Sequence, residues 1–303
     1  MTEPLTQSEL STFSRCEVRH DIRYNKLLVP FDTHPALLMG TGYHAGIEHQ
    51  SVDKAIAAMR GDSPTWEKWE GPVAQVREAT VAAMVGGALN NWSVWPDVHE
   101  LGFSVPLRNP STGRASRKHS LQGVIDGVWN RTHPRFPGEV VLGEWKTAAQ
   151  VSREYMTRLE IDFQVSTYMW AASQHYGVPV RKMVYRIAKK PTIRQKQTEE
   201  VGEYIDRLTQ DYLDRPEFYF FEVLVERTDE QLSDWSAQAW ATHLRVSDIR
   251  TGRAIPIRST QSCINRGRCP YFDLCVGAVT KDSFKLLDRR HTELKENNNE
   301  PTS

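Results

Sequence analysis

The sequence predicts an α/β fold, a small sheet core with long helical additions at both ends. Three observations point there. Residues 98–107, 121–129 and 139–147 alternate apolar and polar with the period of a strand, and turn-forming stretches separate them. The segments on either side place apolar residues at helical spacing. The resulting order of helix, three strands, helix and strand holds no internal repeat and no linker that would split the chain.

Length and composition suit a single domain over residues 1–290 with a tail at 291–303. The chain has 303 residues, 39% hydrophobic and 10% aromatic, enough for a sizeable core. No apolar run approaches the roughly 20 residues of a membrane helix. The opening Met1-Thr2-Glu3-Pro4 is too acidic and polar for a secretory signal, so the expected setting is the cytoplasm, away from membranes. Lys and Arg number 38 and so do Asp and Glu. That balance argues against a uniformly basic nucleic-acid coat, while a local basic groove remains compatible with it.

Taken in order, residues 8–28 read as an amphipathic helix around Cys16. Gly40-Thr41-Gly42 reads as a turn, after which His44 opens a second helix that Gly61 and Pro64 break. An alanine-rich helix follows over 73–89. The three strands come next, joined by Asn109-Pro110-Ser111-Thr112-Gly113 and by the proline-bearing turn 131–138, and they read as an antiparallel meander. One long helix covers 153–176, stopped by Gly177 and Pro179. A strand over 182–188, a helix over 199–213, a strand over 218–225 and a helix over 229–245 complete the core. Residues 258–275 are turn-rich, and the run Glu296-Asn297-Asn298-Asn299-Glu300 reads as disordered.

The chemistry concentrates on Asp126 and on Glu144-Trp145-Lys146. Period-2 alternation puts Glu144 and Lys146 on one face of their strand, and an apolar run has no structural need of Glu-x-Lys at its exit. Two carboxylates and an ammonium suit a divalent cation with a charge-stabilising lysine, as phosphodiester hydrolysis requires. A plainer reading makes Asp126 a strand end and Glu144–Lys146 a surface pair. Gln164 and Tyr168 fall at i and i+4 on the next helix and so share a face, although a half-buried amide bonded to backbone would look the same. His44 is a candidate ligand or an ordinary polar residue.

Taken together, these residues resemble the RecB-type branch of the PD-(D/E)XK nuclease superfamily in its iron–sulfur form. That pattern falls here on Cys16, His44, Gly123-Val124-Ile125-Asp126, Glu144-Trp145-Lys146, Gln164 with Tyr168, and Cys263, Cys269 and Cys275, spanning about residues 8–277. The resemblance implies a restriction-endonuclease-like core, a mixed central sheet flanked by helices. It implies a metal-dependent deoxyribonuclease, an exonuclease serving DNA recombination, repair or processing, with recombination or CRISPR-adaptation proteins as candidate partners. It further implies that His44, Asp126 and Glu144 hold Mg²⁺ or Mn²⁺, that Lys146 is catalytic, and that Gln164 and Tyr168 help hold the site and DNA. Glu144 stands where aspartate is more usual, no proline precedes Asp126, and no Gly-x-x-x-x-Gly-Lys-Ser/Thr loop for ATP occurs.

Four thiols in a cytosolic chain point to a metal or cluster before disulfides. The spacing Cys263-x5-Cys269-x5-Cys275 departs from zinc ribbons and from the C-x2-C-x5-C of many relatives. Cys16 would be the fourth ligand, tying about 8–28 to 258–277 in a C-terminal cysteine-cluster segment. The resemblance implies a structural [4Fe–4S] cluster ahead of zinc, the remaining alternative being four unrelated thiols. Arg114, Arg117, Lys118, Arg186, Lys189 and Lys190 are candidates for backbone contact or plain surface charge. A competing assignment is a catalytically weak DNA-binding or recombination-accessory protein stapled by the cluster.

Overall fold

The computed structural model describes residues 2–31, 35–61, 71–264, 267–292 and 294. The chain opens with strand β1 (Glu3–Thr6) and helix α1 (Gln7–Arg15), followed by α2 (Glu17–His20), a π-helical turn at Asp21–Asn25 and strand β2 (Leu28–Val29). Helices α3 (Pro35–Glu48), α4 (Val52–Arg60) and α5 (Pro72–Asn91) form a helical block. Strands β3 (Val98–Arg108), β4 (Ala115–Asn130) and β5 (Val140–Ala148) come next. Then come α6 (Arg153–Leu159), α7 (Phe163–Tyr176), β6 (Lys182–Lys189), α8 (Val201–Asp214), α9 (Pro216–Tyr219), β7 (Phe220–Glu226) and α10 (Asp229–Arg250). A short α11 (Phe272–Cys275) and β8 (Lys285–Leu286) close the described chain.

β3, β4 and β5 pair antiparallel in sequence order, so the expected meander is present. β6 adds parallel to β5, β7 adds antiparallel to β6, and β1 lies parallel to β4, giving a mixed six-stranded sheet. Each face carries its own core. On β5, Val140 and Leu142 enter one core with α7 and α10, while Val141 and Trp145 enter the other with α3, α4, α5 and α8. A strand buried on both faces reads as a near-continuous apolar run, which accounts for Val140-Val141-Leu142. The result is a restriction-endonuclease-like α/β core with helical additions.

Several elements depart from the sequence reading. Helix α3 runs straight through Gly40 and Gly42, and His44 sits within it rather than at its start. Gly42 and Gly46 are packing residues, whereas a Cβ on Gly40 would meet nothing within 4 Å. A Cβ on Gly42 would stand 2.7 Å from the Ala55 carbonyl, and one on Gly46 would stand 2.6 Å from Val85 Cγ2, so α4 and α5 approach α3 closely because these side chains are missing. Gly61 ends α4 with φ +45, as expected; Pro64 lies outside the described residues. The helix expected over 8–28 breaks at Cys16, whose backbone is extended (φ −168, ψ 118).

The helix expected over 153–176 is two helices. Asp162 is extended and accepts from the backbone N–H groups of Gln164 and Val165 at 2.9 and 3.2 Å, which starts α7 afresh. Buried Arg227 holds this elbow, donating to the Leu159 carbonyl at 2.6 Å and to Ser166 Oγ at 3.0 Å.

The two ends of the chain meet, but through packing. β2 pairs antiparallel with β8, Tyr271 donates to the Leu28 carbonyl at 2.9 Å, and Ile22, Leu28 and Tyr271 form a small third core. Glu9, fully buried, accepts from His20 at 2.7 Å, from His291 at 2.6 Å and from Arg250. His291, the first residue of the expected tail, is therefore packed; residues 293 and 295–303 lie outside the described residues.

Candidate active site

The site is built where β5 leaves β4. On one edge of β4, β1 pairs at 119–122 and β5 pairs at 127–130, so residues 123–126 have neither strand beside them. Beyond the Gly127–Gly143 pair, β5 continues along β6 alone. Asp126 stands in this fork, and its Oδ2 accepts from the backbone N–H of Trp145 at 3.0 Å, replacing the missing ladder bond.

The residues on either side of Trp145 turn to the opposite face. Glu144 is completely buried, and its Oε1 accepts from Lys146 Nζ and from Gln164 Nε2, the latter at 2.9 Å. Gln164 also donates to the Tyr168 hydroxyl at 3.1 Å, so its amide group serves two acceptors from the first turn of α7. Glu144 Oε2 is buried without a hydrogen-bond partner. From α3, His44 Nδ1 stands 3.4 Å from Asp126 Oδ2. Chain-distant His44, Asp126, Glu144, Lys146, Gln164 and Tyr168 are thus brought together.

The electrostatics follow from burial and from two neighbouring carboxylates. Burial, reinforced by the negative charge of Asp126, pushes the Glu144 carboxyl well above the usual carboxylate range. Burial alone would strip the Lys146 ammonium, but Glu144 and Asp126 outweigh it and hold the proton on. Burial raises the Tyr168 phenol, with Glu144 adding to the effect. Burial lowers His44 against the pull of Asp126, favouring the neutral ring. The fork therefore holds a buried ammonium beside a carboxyl that gains or loses a proton far more readily near neutrality than an ordinary one.

The expected cofactors do not fit. Among the described residues, no group of three or more His, Cys, Asp and Glu side chains is arranged to hold a metal ion. This overturns Mg²⁺ or Mn²⁺ on His44, Asp126 and Glu144, because Glu144 is turned toward Lys146 and Gln164 while Asp126 is engaged by Trp145. It equally overturns the [4Fe–4S] cluster, or zinc, on Cys16, Cys263, Cys269 and Cys275, and with it the defined C-terminal cysteine-cluster segment. The four are free thiols. The backbone of Ser259 touches two of them, its N–H donating to Cys16 Sγ at 3.5 Å and its carbonyl accepting from Cys263 Sγ at 3.5 Å.

The basic candidates scatter. Arg114, Arg117 and Lys118 are exposed at the far end of the β3–β4 hairpin, with Arg117 about 30 Å along the strand from Asp126 at ~3.3 Å per residue. Lys118 Nζ donates to Ser247 Oγ at 2.6 Å. Lys189 lies 3.4 Å over the Phe218 ring, and Lys190 follows β6 at the end of its pairing with β5. Arg186 is no surface contact. It is 2% exposed, bonded to Glu222 at 2.9 Å and enclosed by Trp92, Trp95 and Trp129.

The sequence reading missed Arg227, whose hold on the α6–α7 elbow fixes where Gln164 begins its helix. It also missed Tyr43, buried beside His44 with its hydroxyl unpaired. An arginine just past an apolar strand was the one available sign of the first; an aromatic at helical spacing gives none for the second.

The family model of the PD-(D/E)XK nuclease superfamily matches residues 4–276. Among solved structures, a provisionally named exonuclease from Eubacterium rectale aligns with a TM-score of 0.51 at 13% identity, covering 92% of this chain and 89% of that one. At that identity the likeness speaks for the fold alone. No curated protein matches the chain in sequence. No helix among the described residues is long and apolar enough to cross a membrane.

Proposed function

Because the chain belongs to the PD-(D/E)XK nuclease superfamily, we propose that it hydrolyses DNA phosphodiester bonds, as an exonuclease of the RecB type in recombination, repair or processing. The observation that carries this reading is the buried Glu144–Lys146 pair at the fork, held by Gln164 and facing Asp126. Water adds to phosphorus as the bond to the leaving oxygen breaks, and the leaving oxygen takes up a proton from solvent to depart as the alcohol. Glu144, its proton affinity raised by burial, takes the proton of the water. Lys146 keeps its charge and offsets the negative charge that develops on the phosphoryl oxygens. Gln164 and Tyr168 fix the rotamer of Glu144, and His44 orients Asp126. Lys189 and Lys190, at the strand end nearest the fork, are the better placed of the candidate backbone contacts.

The test is incubation of end-labelled linear DNA, single- and double-stranded, and of covalently closed circles, in buffers with and without divalent cations. Release of label from linear DNA with circles spared is the expected result. Circles cut as fast as linear DNA would overturn the exonuclease assignment. Binding without any cleavage would leave the accessory-protein reading in its place.

A further inference from the structure

The residue between the two site side chains, Trp145, lies on a bed that only glycine can provide. Gly127 and Gly143 face each other across the β4–β5 ladder at its last pair before the fork. A Cβ on Gly127 would stand 2.5 Å from Trp145 Cη2, and a Cβ on Gly143 would stand 2.6 Å from the same atom. The ring has nowhere to retreat. Trp145 is 1% exposed, stacked on Trp95 at 6.4 Å between centroids and tilted against Trp129 at the same distance. Pro96 Cγ closes the Gly127 side at 2.8 Å from the position of that Cβ.

Neither glycine is needed for its backbone, since neither has a positive φ. Small side chains would ordinarily be a loss inside a strand, where glycine weakens pairing and packs nothing. Two of them opposite each other under one indole mark a close approach that the fold maintains at some cost.

We infer that Gly127, Gly143 and Trp145 are positioning residues for the active fork. The indole is the handle by which the second core sets the rotation of β5. The backbone N–H of Trp145 is the donor to Asp126 at 3.0 Å, and its chain neighbours are Glu144 and Lys146 on the other face. A methyl group added beneath the ring pushes it off the glycine bed, turns β5 about its axis and carries Glu144 and Lys146 together away from Asp126 on β4 and Gln164 on α7. This inference rests on the nuclease reading above and adds to it what holds the geometry.

The experiment uses the full chain, its Gly127→Ala variant and the double variant Gly127→Ala/Trp145→Phe, whose shorter ring leaves room for the methyl. Each is assayed on end-labelled linear DNA, with KM and kcat separated and with far-UV circular dichroism and melting recorded. Gly127→Ala should lower kcat about 100-fold, the cost of a misplacement near 1 Å. KM should change little, and the variant should remain folded. Trp145→Phe added to it should restore at least tenfold of the loss, and Gly143→Ala should repeat the first effect independently. Gly127→Ala as active as the parent chain, or a folded single variant that the smaller ring does not rescue, overturns the inference while leaving the nuclease reading intact. Absence of cleavage by the parent chain overturns the nuclease reading and takes this inference with it.

Discussion

Lys146 keeps its proton because two carboxylates outweigh its burial, and Glu144 gains proton affinity because burial and Asp126 act in the same direction. The two residues are thus coupled, and each substitution has its own outcome. Glu144→Gln keeps the shape and the acceptor for Gln164 but removes proton exchange. It should cost about 10²- to 10⁴-fold in kcat, measured on linear DNA, with affinity for DNA unchanged. Arg227→Met acts at a distance from the chemistry. It removes the buried donor to Ser166 Oγ and leaves the Leu159 carbonyl only the longer bond from the Asp162 N–H at 3.3 Å, so a loss of about 1–3 kcal/mol in urea unfolding is expected. Of the candidate site, Asp126, Glu144, Lys146 and Gln164 stand out in the sequence because charge or amide interrupts an apolar pattern there, and Tyr168 only through its spacing of four from Gln164. Arg227 and the glycine pair do not, since their roles depend on chain segments far away in sequence.

At the scale of elements, apolar periodicity marked the strands well and helix ends poorly. β5 stands out because both its faces are buried. The break at Asp162 is hidden because apolar spacing continues on both sides, and only the capping oxygen of Asp162 separates α6 from α7. β1 escaped notice because a strand of four residues with a proline carries almost no pattern, and its partner β4 lies more than a hundred residues away. Gly40 and Gly42 read as a turn because glycine signals both turns and close packing. The structure separates the two for Gly42 and for Gly46 farther along α3, and so does a mutation. Gly46→Ala would be mildly stabilising in a free helix. Here it should destabilise by about 1–3 kcal/mol through overpacking against Ala55 and Val85, read as a lower melting temperature.

Across the whole molecule, the first helix and the last described residues are joined by Glu9, with His20, Arg250 and His291 around it. Burial alone would raise this carboxyl, but the bonds from the two histidines and the charge of Arg250 hold it well below the usual range. A depressed carboxylate stabilises the fold above its unfolded value, near 4.3, and that contribution is lost as pH falls below it. His119, buried beside Arg250, is lowered from 6.5 to about 4, burial being the largest cause. It favours the fold fully above pH 6.5, and that share is lost between 6.5 and 4. Stability should therefore decline in two stages on acidification, followed by urea midpoints from pH 8 to 3, and His119→Gln should reduce the upper stage, to which His44 and buried His243 also contribute. Glu9→Leu removes the buried partner of Arg250, which keeps Glu3 at 3.1 Å, and should cost about 3 kcal/mol, the lower end for a broken buried pair.

The fork formed by Asp126, Glu144 and Lys146 is the proposed seat of DNA cleavage. The most direct measurement compares release of label from linear DNA by the parent chain and by Lys146→Ala, with binding to the same DNA followed in parallel. Lys146→Ala should cleave about 10²- to 10³-fold more slowly with binding retained. Undiminished cleavage by the variant would contradict that assignment.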